Sequence, residues 1–232
     1  MKRRVITHEI APEEGDTYDL ESREVKEGFS PSDIREHWDK RAQRRDVQAV
    51  MSARHTLDEN LAATELLKED IFDFLDGYIT GKTVFELGFG VARMTEELAK
   101  KAKVVSACDL SPLMYYRATE QLSEYNNVDL HLGRITEVTP NEQRYDLVFE
   151  SIVLLHVLDP QELKATAARM QELSDRIFIT EHTFEGEGFP ISKYSILRKP
   201  EEYEALFAPY KLVKEKIHSC AGDNFQLMLF EK

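Results

Sequence analysis

Thr83-Val84-Phe85-Glu86-Leu87-Gly88-Phe89-Gly90-Val91-Ala92-Arg93-Met94 is the stretch whose reading decides the fold. Val84, Phe85 and Leu87 make a short apolar run of the kind buried in a parallel sheet. Gly88 and Gly90 let the backbone turn sharply, and helical composition resumes from Arg93 to Lys101. A strand, a glycine turn and a helix in that order hold a small ligand against bare backbone. Charge decides which ligand. A dinucleotide fingerprint needs a third glycine three residues after Gly90, where this chain has Arg93. A carboxylate at the strand end, Glu86, repels a pyrophosphate and attracts an ammonium or sulfonium group. The turn therefore reads as part of a site for a cationic nucleoside.

A second acid supports that reading. The next apolar run, Val104-Val105-Ser106-Ala107-Cys108-Asp109, ends in Asp109, about twenty residues past the turn, where nucleotide-binding folds place a ribose-binding carboxylate. Glu86-Leu87-Gly88-Phe89-Gly90 resembles the E/D-x-G-x-G motif of class I S-adenosylmethionine-dependent methyltransferases. The resemblance implies S-adenosyl-L-methionine as cofactor, with Gly88, Phe89 and Gly90 beneath it and Glu86 near its methionine part. It implies Asp109 on the ribose hydroxyls, with Leu110 and Met114 against the adenine. Leu132-Gly133-Arg134-Ile135 stands where many members carry an acid that reads the adenine amino group, and a guanidinium cannot accept that bond. Recognition there is left to backbone around Arg134 and Ile135, or to Glu137. Glu150 and Ser151 end a further strand, where members contact the methionine part or the acceptor.

The remaining chain fits the fold. Strand-like runs at 128–132, 146–151 and 176–181 alternate with helices that start at Ser111-Pro112 and Asp159-Pro160. Two strand-like runs, 211–219 and 225–230, flank Ala221-Gly222-Asp223-Asn224, which reads as a hairpin turn. The expectation is a Rossmann-like, doubly wound α/β fold: a mostly parallel seven-stranded sheet with an antiparallel C-terminal strand. Upstream, Ser30-Pro31-Ser32-Asp33 starts a helix bearing Ile34, Trp38 and Ala42 on one face, and Thr56-Leu57-Asp58-Glu59 is a capping box for the next, ended by Gly77 and Gly81. Residues 1–29 carry no regular pattern, Tyr18 being the one to watch. The division is an N-terminal extension over 1–57, partly helical and covering cofactor or substrate, and a methyltransferase domain over 58–232.

Two histidines are candidate bases. His182 directly follows the fifth strand in Thr180-Glu181-His182 and is the preferred one. His156, in Val153-Leu154-Leu155-His156, resembles a histidine common in small-molecule methyltransferases, catalytic or structural. For the acceptor, Trp38, Arg41 and Tyr194 are the candidates. Arg41 belongs to a basic cluster with Lys40, Arg44 and Arg45, read either as a solvated face or as a contact for an anionic group. The long connection from Thr183 toward Arg198 reads as a substrate lid.

Composition narrows the partners. With 43 acidic and 30 basic residues the formal charge is −13, which disfavours a long nucleic-acid backbone. Cys108 and Cys220 are too few for a disulfide framework or a zinc cluster, so no metal is expected. No apolar run approaches a membrane span. A cytoplasmic monomer or homodimer is expected. The function expected is O- or N-methylation of a small molecule. The alternatives are a protein or peptide methyltransferase and a non-catalytic S-adenosylmethionine-binding module.

Overall fold

Seven strands share one sheet in the order β3-β2-β1-β4-β5-β9-β8. β1 (Thr83–Leu87), β2 (Val104–Asp109), β3 (Val128–Leu132), β4 (Leu147–Ser151) and β5 (Arg176–His182) are parallel. β6 (Ile191–Ser192) and β7 (Ser195–Ile196) form a separate two-stranded ribbon. β8 (Lys211–Cys220) and β9 (Asp223–Glu231) form the hairpin, and β9 inserts antiparallel between β5 and β8. The computed structural model describes residues 31–44, 46–51, 55–183, 191–192, 194–220 and 223–232. Tyr18, the Ser30 cap, Arg45, the lid over 184–190 and Ala221-Gly222 lie outside the described residues.

The helices are α1 (Pro31–Ala42), α2 (Leu57–Phe74), α3 (Thr95–Lys101), α4 (Pro112–Gln121), α5 (Pro160–Leu173) and α6 (Pro200–Leu206), with 3-10 turns at Asp46–Ala49 and Leu154–His156. Side chains alternate across a strand, so each strand feeds two cores. Val84, Phe149, Phe178 and Leu229 pack under α2 and α3 against Leu67, Ile71, Phe74 and Leu98. Phe85, Val148, Ile177, Ile179 and Phe230 pack on the other face against Leu163, Met170, Tyr203 and Phe207 of α5 and α6 or their ends. Each such fully buried side chain contributes roughly 1.5–3 kcal/mol of transfer free energy, which makes the central strands the rigid part of the molecule.

Local chemistry sets the boundaries. Thr56 and Glu59 form the capping box of α2, Ser111 caps α4 with Pro112 behind it, and Asp159 caps α5 through the amides of Gln161 and Glu162. α2 ends at Phe74, earlier than the Gly77 and Gly81 stops, and Tyr78 packs from the turn beyond it. β5 runs one residue further than its sequence pattern because His182 pairs with Phe225, so His182 ends the strand instead of following it. Asp223 and Asn224 likewise belong to β9, opposite Cys220 and Ser219. The outer strand β8 carries a bulge between Leu212 and Lys214, and its lysines 211, 214 and 216 blunt the open edge. No described helix is long and apolar enough to cross a membrane.

Candidate active site

Strand order reverses between β1 and β4, and ligands in open α/β sheets bind beyond the strand ends at such a point. A cavity of about 360 Å³ lies there. Gly88, Phe89, Gly90, Asp109, Leu110, Met114, Arg134, Ile135 and Ser151 all line it, together with Trp38 and His156. These are nine of the eleven residues expected around a cofactor, one expected base and one expected acceptor contact.

Gly88 and Gly90 sit at φ +75° and +53°. A Cβ on Gly88 would meet Val153 Cγ2 at 2.4 Å, and one on Gly90 would meet Val50 Cγ1 at 2.8 Å. Only glycine therefore keeps the turn and the approach of the 153 segment. Asp109 is held by two amides: Oδ2 accepts from Gly90 and Oδ1 from Ser111, each at 2.9 Å. Burial lifts its pKa to about 6 against the pull of those amides. Ala92, at φ +62°, completes the turn with its amide on the Phe89 carbonyl at 2.8 Å. Ile152, at the end of β4, also has φ +62°. For a β-branched residue that conformation costs about 1–3 kcal/mol and marks a segment over-determined by its surroundings.

Glu86 is 2% exposed and lies outside the lining. Burial raises its pKa to about 8, opposed by Thr95 and Arg93, and its Oε2 has no protein partner. Ser151 Oγ is a second buried oxygen without one. Arg134 is in the cavity wall with Nε on Glu162 Oε1 at 2.6 Å and Nη1 on Glu137 Oε1 at 3.3 Å. Glu137 is thus engaged with Arg134, and Glu162, unremarked in the sequence except as part of a helix start, lines the cavity beside Asp109 and Asp159.

His156 Nδ1 lies 2.6 Å from the Tyr194 carbonyl oxygen. A carbonyl only accepts, so Nδ1 carries the proton and Nε2 is the basic nitrogen. Burial depresses the pKa to about 4, so the ring is neutral. Trp38 packs edge-on to it at 4.8 Å, and the Tyr194 ring stacks on His37 at 3.8 Å. Tyr194 thus bears on the site through its backbone, its ring lying against His37 outside the lining.

Three candidates lie elsewhere. His182 is outside the cavity lining, its ring 5.3 Å from Phe225 because the longer β5 directs it to the hairpin. Arg41 donates to the carbonyls of Gln48, Ala49 and Met51, capping the 3-10 turn that follows α1, with its guanidinium over Trp38. Glu150 is fully buried below the site and binds amides of the next turn. Among the described residues no cluster of metal-ligating side chains occurs.

Comparison with known proteins bears on this architecture. Residues 84–175, from β1 through α5 to the start of β5, match the methyltransferase domain family. The chain carries a methyltransferase domain with the class I fold. Phosphoethanolamine N-methyltransferase 3 of Arabidopsis thaliana is 30% identical to it over 220 residues, 90% of this chain and 40% of that protein. The chain spans about two fifths of the length of the curated relatives it matches. The fold of magnesium protoporphyrin IX methyltransferase from Synechocystis PCC 6803, with bound SAH, superposes with a TM-score of 0.70 at 16% identity, over 88% of this chain and 100% of that one. Phosphoethanolamine N-methyltransferase 1 of Haemonchus contortus, in complex with phosphoethanolamine and S-adenosylhomocysteine, gives 0.62 at 15% identity, over 87% and 49%. The cofactor that the sequence resemblance implies, S-adenosyl-L-methionine, is suited by the orphaned Ser151 oxygen and the cramped glycine turn of the cavity wall.

Proposed function

We propose that this protein methylates a small-molecule acceptor on oxygen or nitrogen, with the acceptor seated in the cavity against Trp38 and His156. The observation that carries this is the continuity of one cavity from the glycine turn and Asp109 to the neutral imidazole of His156. In this reading Asp109 holds the ribose hydroxyls, Leu110, Met114 and Ile135 the adenine, and Glu86, buried behind the lining, acts on the cationic methionine end through its charge. The bound cofactor supplies an electrophilic methyl group, and attack on it needs alignment above all. Trp38 and α1 cover the acceptor, exclude water and fix its approach. His156 Nε2 receives the proton of the acceptor's O–H or N–H, a task worth roughly 10²–10⁴ in rate.

His156 takes precedence over His182 because it lines the cavity. His156→Gln is expected to cut turnover by about 10²-fold or more while leaving cofactor affinity within a few-fold, and His182→Ala to leave turnover near wild type. Steady-state kinetics with cofactor titrations decide, and the opposite ranking would return the base to His182.

The acceptor class is tested with methyl-labelled cofactor and a panel led by phosphoethanolamine, the compound named for the relatives. Phenols and small amines complete the panel. Both arginines of the cavity face carboxylates, Arg93 facing Glu86 and Arg134 bonded to Glu137 and Glu162. A phosphate would therefore have to compete with Glu162 for Arg134. Label appearing only in protein fractions would overturn the small-molecule reading. The N-terminal extension is proposed as part of the working site, and the cytoplasm as the compartment, which suits two buried free thiols, Cys108 and Cys220.

A further inference from the structure

Glu150 and Glu181 lie on one face of neighbouring parallel strands. Glu150 is opposite Ile179 in the β4–β5 register, and Glu181 is two residues further on. Both are completely buried. Glu150 Oε1 accepts the amides of Val153 and Leu154, the latter at 3.3 Å. Glu181 Oε1 accepts the amide of Leu155 at 3.2 Å. Arg198, itself 5% exposed, donates Nη1 to the Leu154 carbonyl at 2.8 Å and Nη2 to the Val157 carbonyl at 2.7 Å. The backbone of 153–157 is thus tied at both its amides and its carbonyls to buried charged side chains. His156 is part of that segment, and the left-handed Ile152 stands at its entrance.

Carboxylates only accept, so two in contact need a proton between them. Oε2 of each is buried without a hydrogen-bond partner, and the two carboxyl groups act directly on each other, so one shared proton would satisfy both. With one proton the pair carries one negative charge, and Arg198 balances it. Without the proton the buried cluster holds an uncompensated charge. Burial raises the titration of both groups, Arg198 draws that of Glu181 down, and Tyr203 of α6 is the other titratable side chain acting with them.

We propose that Glu150, Glu181 and Arg198 form a one-proton lock that fixes the 153–157 turn, so positioning His156 in the cavity, and that alkaline loss of the proton releases the turn. The consequence for turnover rests on the reading of His156 given above. The lock itself does not, because the amides report it directly.

The test is amide exchange at Val153, Leu154 and Leu155, corrected for intrinsic rates, from about pH 7 to about pH 9.5. In wild type, protection is expected to fall roughly tenfold or more over that range. Glu181→Gln keeps an oxygen for the Leu155 amide and presents a permanent N–H to Glu150. Its protection is expected to stay within about twofold, and the alkaline loss of kcat to disappear with it. Glu181→Ala is expected to lose protection at every pH, with kcat reduced more than KM changes. Flat protection in wild type, or the same alkaline loss in Glu181→Gln, would overturn the lock. If exchange behaves as expected while His156→Gln turns over normally, the lock stands and the base assignment fails.

Discussion

Asp109 spends one lone pair of each carboxylate oxygen on a backbone amide, Gly90 on one side and Ser111 on the other. It is thereby oriented before any ligand arrives, with further acceptor capacity on both oxygens. Asp109→Ala removes both the proposed ribose contact and the link between the glycine turn and α4. Two charge-assisted bonds at roughly 1.5–3 kcal/mol each put the loss of cofactor affinity at about 10²-fold or more, read by calorimetry. Glu86 behaves differently because its pKa stands near 8. Free protein holds a proton there at neutral pH, and a cationic ligand favours the ionised form. Binding then releases a proton, so affinity is expected to rise from about pH 6 to about pH 8, at most tenfold per unit, and then flatten. Glu86→Gln is expected to bind more weakly with no such slope, and calorimetry in two buffers of different ionisation enthalpy measures the proton. A flat wild-type profile contradicts the assignment. The sequence showed these acids because both close strands at a recognisable spacing. It could not show that Glu150 and Ser151 part company, since alternation fixes opposite faces without saying which one meets the cleft. Arg41 misled for another reason: a basic cluster looks alike whether a guanidinium meets a ligand or caps its own backbone.

α1 and α4 hold each other. Asp39 of α1 accepts from Ser111 Oγ at 2.5 Å and from the Leu113 amide at 3.3 Å, at the start of α4. Arg117 of α4 returns Nη1 to the carbonyls of Ala42 and Arg44 at the end of α1, at 2.7 and 2.9 Å. Ile34 and Trp38 reach the cavity from the helix so fixed. Arg117→Met keeps the stem of the side chain and removes those donors, so it is expected to cost about 1–3 kcal/mol. Faster proteolysis between α1 and α2 should accompany it, relieved by cofactor if α1 closes the site. Equal Tm and equal proteolysis would show that α1 docks by its apolar face alone. Helix starts were legible because capping residues and first-turn prolines are local chemistry. The 191–196 ribbon was not, since two-residue strands carry no alternation, and the sequence presents that stretch only as a long loop. The end of β5 was misplaced by one residue because its partner, Phe225, is remote in the chain.

At the scale of the molecule, the parallel sheet and its antiparallel C-terminal strand were legible from the alternation of elements and from a final hairpin, whereas the strand order and the insertion of β9 between β5 and β8 were not, because pairing partners are remote in the chain. The pattern also left open the closure of the site, which depends on α1, the 153–157 turn and the Tyr194 backbone meeting above the strand ends. That closure links occupancy to stability. A ligand that binds only the folded chain stabilises it by RT ln(1 + [L]/Kd), about 2.7 kcal/mol at a hundred times Kd. For a chain of this size that corresponds to a rise in Tm of roughly 5–11 °C, growing further with concentration. S-adenosylmethionine and S-adenosylhomocysteine are both expected to give it, and a nicotinamide dinucleotide at the same concentration to give none, because Arg93 stands where its fingerprint needs glycine and the buried acid Glu86 offers its pyrophosphate no counter-charge. Asp109→Ala should lose most of the shift without losing the fold. A dinucleotide shift equal to that of S-adenosylmethionine would mean that the two acids do not choose the ligand, and with them would go the reason for reading the cavity as a site for a cationic nucleoside.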